Sequence, residues 1–235
     1  MNESELFSQR AKIAARFKMN VKITRDDIFG SADTEYLPRN LPDDSATMFV
    51  GYVGSRYTPE VGLLLLGINP GGGGDAYISR TAEDRMFYPL LEAFAGAADE
   101  NHLDSFEAIN RAFPPIVMGW NLWRILLPTL VAAGATLDTV AYMNVVPYRT
   151  RGDKMPPVAA RRCAWAQLVE PTLNVLRPRA IVTLGKKAWS VVDRLYSGSR
   201  PVFCVPRTIG DTYVSDAARA AHEDMRLQLM AGSYG

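Results

Sequence analysis

The feature that most constrains the fold is the stretch at residues 61–75, which has the sequence VGLLLLGINPGGGGD. Its first part is apolar without polar alternation, which is typical of a β-strand covered on both faces of a parallel sheet. It ends in Gly67-Ile68-Asn69-Pro70 and a glycine run, whose backbone can approach a ligand closely. Because open α/β sheets bind ligands beyond the carboxyl ends of their strands, we expect Asn69 to lie at a site.

The glycine loop matches neither of two common nucleotide-binding motifs. It lacks the GxxxxGK[ST] phosphate cradle and the spacing of a dinucleotide fingerprint, which disfavours mononucleotide binding of those two kinds. A flexible turn that merely leaves a core strand is one alternative interpretation. Another is a different hydrolase or transferase that holds a phosphate on the amides of residues 71–74.

The composition describes an ordinary globular chain with little net charge. Of its 235 residues, 48% are hydrophobic and 22% are charged, which is typical of one globular domain. We therefore expect a single domain over residues 1–235, with an N-terminal helix and an extended segment in residues 1–50 packing on it. The formal net charge is +1, so contact with nucleic acid must depend on a local patch.

The cysteines and histidines argue against a disulfide framework and a metal site. Cys163 and Cys204 stand far apart in apolar surroundings, which favours reduced core thiols, and an iron–sulfur cluster needs more cysteines than these. His102, expected on a loop, and His222, expected on a helix, are isolated from each other.

The N-terminal residues mix charges with apolar positions, unlike a signal peptide or membrane span. We expect a cytoplasmic monomer without metal, other cofactor or membrane partner.

Apolar runs predict four strands, and helical spacing fills most of the intervals between them. The predicted strands are the run before Gly67 and residues 140–146, 180–184 and 201–205. The predicted helices are residues 4–19, 81–96, 120–133, 157–176, the segment beginning at Lys186, and residues 215–230. Residues 21–45 are predicted to be an extended surface segment, and Pro114 and Pro115 a loop.

This alternation predicts an α/β fold, a three-layer α/β/α arrangement around a central four-stranded parallel sheet. The carboxyl ends of parallel strands lie at one edge of a sheet. We therefore expect four polar segments to converge there: the Asn69 loop, the Asn144 loop, the Lys186 turn and the Arg207 loop.

The same segments carry a resemblance to a known family. The letters GINPG at residues 67–71, MNVVP at 143–147 with the following Arg149, and RPRAIVTLGKKA at 177–188 occur in that order. They resemble motifs of the uracil-DNA glycosylase superfamily, the first in the form found in its mismatch-specific and thymine-DNA glycosylase branch. The similarity covers roughly residues 52–211. Where the family usually ends its last strand with His-Pro-Ser or Asn-Pro-Ser, this chain has Val205-Pro206-Arg207.

The resemblance implies the fold of that family and a monofunctional glycosylase. Such an enzyme hydrolyses the N-glycosidic bond of uracil or a related deaminated base in DNA, in base excision repair and without a cofactor. The alternative is a catalytically weak or inactive protein on the same fold that binds a nucleobase or single-stranded nucleic acid. The divergent last motif and the nearly neutral charge motivate that alternative.

The resemblance also implies roles for individual side chains. Asn69 would hold the attacking water through its side-chain carbonyl, orienting it rather than acting as a strong base. Asn144 has a donor and an acceptor side by side, which matches the O4 and N3–H edge of uracil, although it could instead be a strand-end turn residue. Tyr77 or Phe87 would stack on the flipped base, although Phe87 also fits a core position on an apolar helical stripe.

The remaining candidates are backbone positions and charges in the same segments. The base would also be contacted by the loop residues Gly67, Ile68, Pro70 and Gly71. The departing anion would be stabilised by loop amides or by Arg207, which could instead bind a phosphate. DNA phosphates would be bound by Arg149, Arg151, Lys186 and Lys187, with Lys154 as a further cation; solvated surface charge is the alternative for each. Three carboxylates could serve as base, and spacing does not choose among them: Asp75, Asp153 and Asp211.

Overall fold

A computed structural model describes residues 3–37, 48–71, 82–98 and 101–232. The strands in these ranges are β1 (Tyr52–Val53), β2 (Leu63–Gly67), β3 (Val140–Asn144), β4 (Ala180–Leu184) and β5 (Val202–Val205). The α-helices are α1 (Glu3–Asn20), α2 (Arg25–Phe29), α3 (Asp33–Tyr36), α4 (Ala82–Gly96), α5 (His102–Met118), α6 (Trp123–Ala132), α7 (Val158–Ala164), α8 (Glu170–Leu176), α9 (Lys186–Leu195) and α10 (Asp216–Ala231).

The described residues form two compact units, each made of separate chain segments. The first unit comprises those within Met1–Gly51, Asn69–Ala112 and Asn144–Arg177. The second comprises those within Tyr52–Ile68, Phe113–Met143 and Pro178–Gly235. The single domain expected over residues 1–235 stays a prediction.

The second unit contains the sheet, except for the last residue of β3. The strand order is β1-β3-β2-β4-β5. Strand β2 pairs parallel to β4, which pairs parallel to β5, whereas β1 pairs antiparallel to β3. The predicted α/β class is confirmed, but the sheet is mostly parallel rather than wholly parallel, because β1 pairs antiparallel to β3. The sheet has five described strands rather than the four that were predicted. The missed strand is β1, which has only two residues and so shows no alternation that the sequence could reveal.

Burial explains why the leucine run of β2 forms a central strand. Residues Leu63 to Leu66 are at most 1% exposed, so the strand is covered on both faces. An aromatic stack packs a residue of α5 against β1 and β3. The Phe113 ring centroid lies 4.6 Å from that of Tyr52 and 5.6 Å from that of Tyr142, in stacked geometry.

The first unit is helical and has an aromatic core of its own. The Phe106 ring lies 5.2 Å from Phe17 of α1 and 5.6 Å from Phe94 of α4. Lys18 of α1 is only 7% exposed, and its Nζ donates to the carbonyls of Phe94 and Ala95 at 2.8 and 2.7 Å. A buried ammonium group therefore satisfies carbonyls in the last turn of α4, where a helix end attracts positive charge.

The prediction of an extended segment at residues 21–45 is wrong for its described part, which contains α2 and α3. Thr24 caps α2 by accepting from the backbone N–H of Asp27, whose carboxylate accepts from the Thr24 backbone in return. These helices have five and four residues, too few to show a hydrophobic period. The Thr24–Asp27 capping pair was the available sequence signal.

The loop predicted at Pro114 and Pro115 is also wrong, because both prolines lie inside α5. The helix continues through them because Phe106, Ile109 and Phe113 form a stripe with 0% exposure before the prolines. His102, predicted on a loop, is the first residue of this helix.

The helix predicted over residues 157–176 is interrupted by a π-helical segment, Trp165–Val169, between α7 and α8. Pro171, predicted near the last turn, lies in the first turn of α8. Proline has no N–H for the carbonyl of Gln167, four residues earlier. That carbonyl accepts instead from Nη2 of Arg16 at 3.2 Å.

No single described helix has both the length and the apolar composition to cross a membrane; α5 and α6 meet that test only as a bent pair.

Candidate active site

Asn69 follows β2 by two residues and is half-buried in the first unit. Its Nδ2 donates to Oγ1 of Thr150 at 3.0 Å and to the carbonyl of Pro70 at 3.3 Å. Within the described residues, both hydrogen bonds of the side chain are thus made by the amide nitrogen. Its Oδ1 has no partner there and can accept from a ligand.

Thr150 is the buried partner of Asn69. Thr150 is 0% exposed, and its hydroxyl donates to the carbonyl of Lys154 at 2.6 Å. This bond closes a short 3₁₀ turn, Arg151–Asp153, in which Gly152 has a φ of 59°. The Thr150 hydroxyl is thus held between the carbonyl of Lys154 and Nδ2 of Asn69.

Arg149 contacts Gly71, two residues after Asn69. Its Nε donates to the carbonyl of Gly71 at 2.8 Å. Its Cζ lies 5.0 Å from the ring centroid of Tyr88, a residue of α4 that is 6% exposed. A guanidinium over an aromatic ring makes a favourable cation–π contact. The side chain therefore links the loop to α4 within the first unit.

Arg25 contacts the backbone of Arg149 and is 6% exposed. Its Nη1 donates to the carbonyl of Arg149 at 2.7 Å, and its Nε pairs with Oδ1 of Asp33 at 2.6 Å. The neighbouring Tyr148 donates its hydroxyl to the carbonyl of Ile23 at 2.7 Å. Burial raises the pKa of Tyr148, an effect that outweighs the opposing charge of Arg25, so this phenol stays protonated.

Arg151, predicted to bind DNA, holds the segment around α3. Its Nε donates to the carbonyl of Leu37 at 2.9 Å, and its Nη2 donates to that of Thr34 at 3.1 Å. These bonds use two of its nitrogens. The exposed Lys154 lies 4.0 Å from Glu35, and Asp153, one of the possible bases, is exposed beside it.

The predicted base-contacting residues have different surroundings. Asn144, the last residue of β3, is 3% exposed and belongs to the same unit as Asn69. Phe87 is 2% exposed, and its ring centroid lies 5.9 Å from that of Phe49, which fits the core-packing interpretation. Tyr77 and Asp75 lie outside the described residues.

In the second unit, Arg207 and Asp211 form a bidentate ion pair. Arg207 Nε donates to Oδ1 at 2.8 Å, and Nη2 donates to Oδ2. The side chain of Asp211 is 4% exposed and that of Arg207 is 33% exposed. Burial lowers the pKa of Arg207, but the bonds and charge of Asp211 outweigh it and raise the pKa. Because Arg207 occupies both carboxylate oxygens, Asp211 is poorly suited to act as a base.

The other predicted residues of this unit lie at strand ends. Gly67, the last residue of β2, is buried, and Ile68, which follows the strand, is half-buried. Gly185 has a φ of 102°, which favours glycine, and precedes the exposed Lys186 and Lys187 at the start of α9. Free N–H groups at this helix start favour an anion.

The described residues contain no group of three or more His, Cys, Asp or Glu side chains that could hold a metal ion. Cys163 and Cys204 are free and only half-buried, so they are not the core thiols that were predicted. The Cys163 thiol donates to the carbonyl of Asp27 at 3.2 Å. Burial raises the pKa of the Cys204 thiol, which keeps it protonated.

Sequence reasoning missed three residues of the Asn69 loop environment: Arg25, Tyr88 and Thr150. Thr150 is adjacent to the two predicted arginines, but a neutral hydroxyl in a polar loop gives no distinct signal. Tyr88 follows Phe87 in α4, and the two side chains leave the helix in different directions, which the sequence pattern did not distinguish. Arg25 is far away in sequence, so its contact with Arg149 depends on tertiary structure.

The chain matches the model of a known protein family. The family model described as the uracil DNA glycosylase superfamily matches residues 55–227. No curated protein matches the chain significantly.

Proposed function

The chain belongs to the uracil DNA glycosylase superfamily, and on that basis we propose that it is a monofunctional DNA glycosylase. Members of this superfamily are generally glycosylase hydrolases. The substrate would be uracil or a related deaminated base in DNA, and its removal would begin base excision repair. The reaction needs no cofactor.

The chemistry sets three requirements. A water oxygen bonds to C1′ of the deoxyribose, and the bond from C1′ to the base breaks, with its electron pair leaving on the base. The water gives up a proton to solvent, and the base anion gains one. The protein must therefore hold the base out of the stack, place the water and stabilise the anion.

The observation that carries the proposal is the arrangement of Asn69. Its amide nitrogen is held by Thr150, so Oδ1 has no partner among the described residues and can accept a hydrogen bond from water. An amide is a weak base, so Asn69 orients the water and the reaction proceeds through departure of the base. Pro70 and Gly71 would line the same loop against the sugar and base, with Gly67 and Ile68 preceding them.

Asn144 is proposed to recognise the base. Its side-chain amide can donate to O4 and accept from N3–H of uracil, a pattern that cytosine does not match. The 3% exposure of Asn144 supports this role, because a mismatched base would leave shielded polar groups unpaired. A stacking ring would be supplied by Tyr77 or, less readily from its core position, by Phe87.

The anion and the DNA backbone require positive groups. Loop amides would stabilise the departing base, as would Arg207, whose Nη1 makes no hydrogen bond within the described residues while Asp211 holds its other two nitrogens. Lys186 and Lys187, exposed at the start of α9, are proposed to bind phosphates.

Base release under single-turnover conditions tests the proposal. Excess protein is incubated with single-stranded and double-stranded oligonucleotides that contain one uracil, and abasic sites are counted after alkaline cleavage. We expect uracil release from at least one substrate. Absence of release from every substrate at excess protein would contradict the proposed activity.

A second candidate function is binding of a nucleobase or single-stranded nucleic acid without catalysis. It is favoured by the last motif, where Val205 is 0% exposed and offers no polar group, and Arg207 is bound to Asp211. In that case uracil-containing and abasic DNA should bind with salt-dependent affinity, and Asn69→Ala should leave binding nearly unchanged. Failure to bind DNA at low salt would remove this candidate.

A further inference from the structure

We propose that the dipeptide Arg149-Thr150 positions the loop formed by Asn69, Pro70 and Gly71, and that Arg149 serves this purpose rather than contacting DNA. The catalytic part of this inference rests on the proposed function, whereas its structural part can be tested without any activity.

The Thr150 hydroxyl determines which way the Asn69 amide faces. A hydroxyl has one proton, and Thr150 donates it to the carbonyl of Lys154, which can only accept, at 2.6 Å. At 3.0 Å from the Asn69 side chain, the hydroxyl must therefore act as the acceptor. Only Nδ2 can donate to it, so Oδ1 faces the opposite way.

This orientation matters because the two ends of an amide have opposite functions. With Oδ1 unpaired among the described residues, Asn69 can accept a hydrogen bond and orient the lone pair of a water toward a sugar carbon. A flipped amide would present a donor and turn the water the wrong way. Thr150 has 0% exposure, so it acts through Asn69 and is a positioning residue.

Arg149 holds the loop at Gly71, two residues beyond Asn69. Its Nε donates to the Gly71 carbonyl at 2.8 Å, and its guanidinium lies over the Tyr88 ring. A bidentate phosphate contact made through Nε would take that nitrogen away from the Gly71 carbonyl. Its own carbonyl is fixed by the buried Arg25. Arg25 thus anchors the dipeptide through the Arg149 carbonyl, and the dipeptide contacts both Asn69 and Gly71.

The Thr150 arm compares Thr150→Val with Thr150→Ser. Valine removes the acceptor while keeping the shape, so we expect the single-turnover rate of uracil release to fall by about 10- to 100-fold with DNA affinity unchanged. Serine keeps the hydroxyl and should restore most of the rate. Equal losses in both variants, or no loss with valine, would overturn the role of the hydroxyl.

The Arg149 arm compares Arg149→Lys with Arg149→Gln. If Arg149 positions the loop, both variants lower the single-turnover rate and leave the salt dependence of DNA binding unchanged, because lysine lacks Nε and the planar face. If Arg149 binds a phosphate, Arg149→Gln lowers the salt slope by about one, and lysine restores it. The second pattern would overturn the proposal. Lys187→Gln serves as the control for a phosphate contact.

A readout independent of catalysis separates this inference from the proposed function. Exchange of the Asn69 side-chain amide protons with solvent is followed by NMR in the free protein. We expect slow exchange in the wild type, faster exchange in Thr150→Val, and near wild-type exchange in Thr150→Ser. If wild-type protein releases no uracil yet shows this exchange pattern, the glycosylase proposal fails and the positioning stands. Unchanged exchange in Thr150→Val overturns the positioning whatever the activity.

Discussion

At the scale of the residue, buried threonines act as acceptors for amide or imidazole groups. Thr129, Thr150 and Thr172 are each 0% exposed, and each hydroxyl donates to a backbone carbonyl within four residues. Their lone pairs then accept from His222, Asn69 and Asn20, respectively. Since the hydroxyl proton is already used, the partner must be the donor, which fixes an amide orientation or a ring tautomer.

The Arg207–Asp211 pair gives a stability prediction at this scale. Asp211→Asn leaves Arg207 without its bidentate partner in a place where the carboxylate is 4% exposed. Because the Arg207 side chain is 33% exposed, solvent screens part of the effect, and we expect a loss of about 1–3 kcal/mol in the free energy of unfolding.

Urea unfolding at pH 7 measures this loss. The control is Glu223→Gln, which removes the partner of Arg226 where that carboxylate is 56% exposed and should leave the midpoint nearly unchanged. Equal midpoints for Asp211→Asn and the wild type would show that the buried pair contributes nothing.

Residue roles were harder to predict than residue positions. Asn69 and Asn144 could be chosen from sequence because each follows or ends an apolar strand. Arg149 was predicted to bind DNA from its place in the same segment. The sequence could not show that its guanidinium contacts the Gly71 carbonyl and the Tyr88 ring instead. A cation in a loop has the same sequence signature whether it contacts a phosphate or a carbonyl.

At the scale of the element, long strands and helices were predictable and short ones were not. The predicted bounds of β4 agree with the structure, because a buried parallel strand is a continuous apolar run. The helices α2 and α3 have five and four residues and depend on Arg25, which donates to Asp33 and to the Tyr36 carbonyl. Such helices are stabilised by tertiary contacts rather than by their own periodicity.

Arg25 therefore provides a prediction about α2 and α3. Arg25→Met removes a guanidinium that is 6% exposed and takes the donor from Asp33 and from two part-buried carbonyls, so we expect a loss of about 2–4 kcal/mol in the free energy of unfolding. Arg25→Lys keeps the charge without the fork and should lose less.

Hydrogen exchange measured across residues 25–36 should show the largest increase in Arg25→Met. Arg226→Met on α10, whose pair with Glu223 is exposed, is the control and should behave as the wild type. Uniform exchange changes along the whole chain, or none, would contradict the anchoring role of Arg25.

His222 links α10 to Thr129 of α6 and makes stability depend on pH. Burial lowers the pKa of His222 below its ordinary value of 6.5. The unfolded chain therefore binds a proton more readily, and the contribution of His222 is fully present above pH 6.5 and falls as the pH drops below it.

Urea unfolding at several pH values between 5 and 8 tests this sign by comparing the wild type with His222→Gln, which keeps a donor for Thr129. As the pH falls, the wild type should lose more free energy of unfolding than His222→Gln does. A difference that is independent of pH would contradict the lowered pKa.

At the scale of the whole molecule, the charge sets how DNA can be bound. A net charge of +1 gives no strong general attraction for a polyanion, so specific cations must supply the contacts. The family membership was accessible from sequence because motif-like loops follow one another along the chain, and the α/β class because apolar strands alternate with helices. The pairing of loop residues was not, since it depends on segments far apart in sequence, such as Asn69 and Thr150.

Lys186 and Lys187 provide the prediction at this scale. Replacing each by glutamine should weaken binding to uracil-containing DNA similarly for all sequences and lower the slope of log affinity against log salt by about one. Fluorescence anisotropy across a salt series measures both. The matched control is Lys12→Gln on α1, which should leave the slope unchanged; equal slopes for all the proteins would remove the lysine pair from the DNA contact.

We propose that this chain hydrolyses the glycosidic bond of uracil in DNA, with Asn69 orienting the water and Asn144 recognising the base. The most direct measurement is uracil release from single-stranded DNA with protein in excess, for the wild type, Asn69→Ala and Asn144→Ala. We predict release by the wild type and a loss of about 100-fold or more in both variants, with circular dichroism unchanged. No release by the wild type, while DNA binding persists, would contradict the claim and leave a nucleic-acid-binding protein on a glycosylase fold.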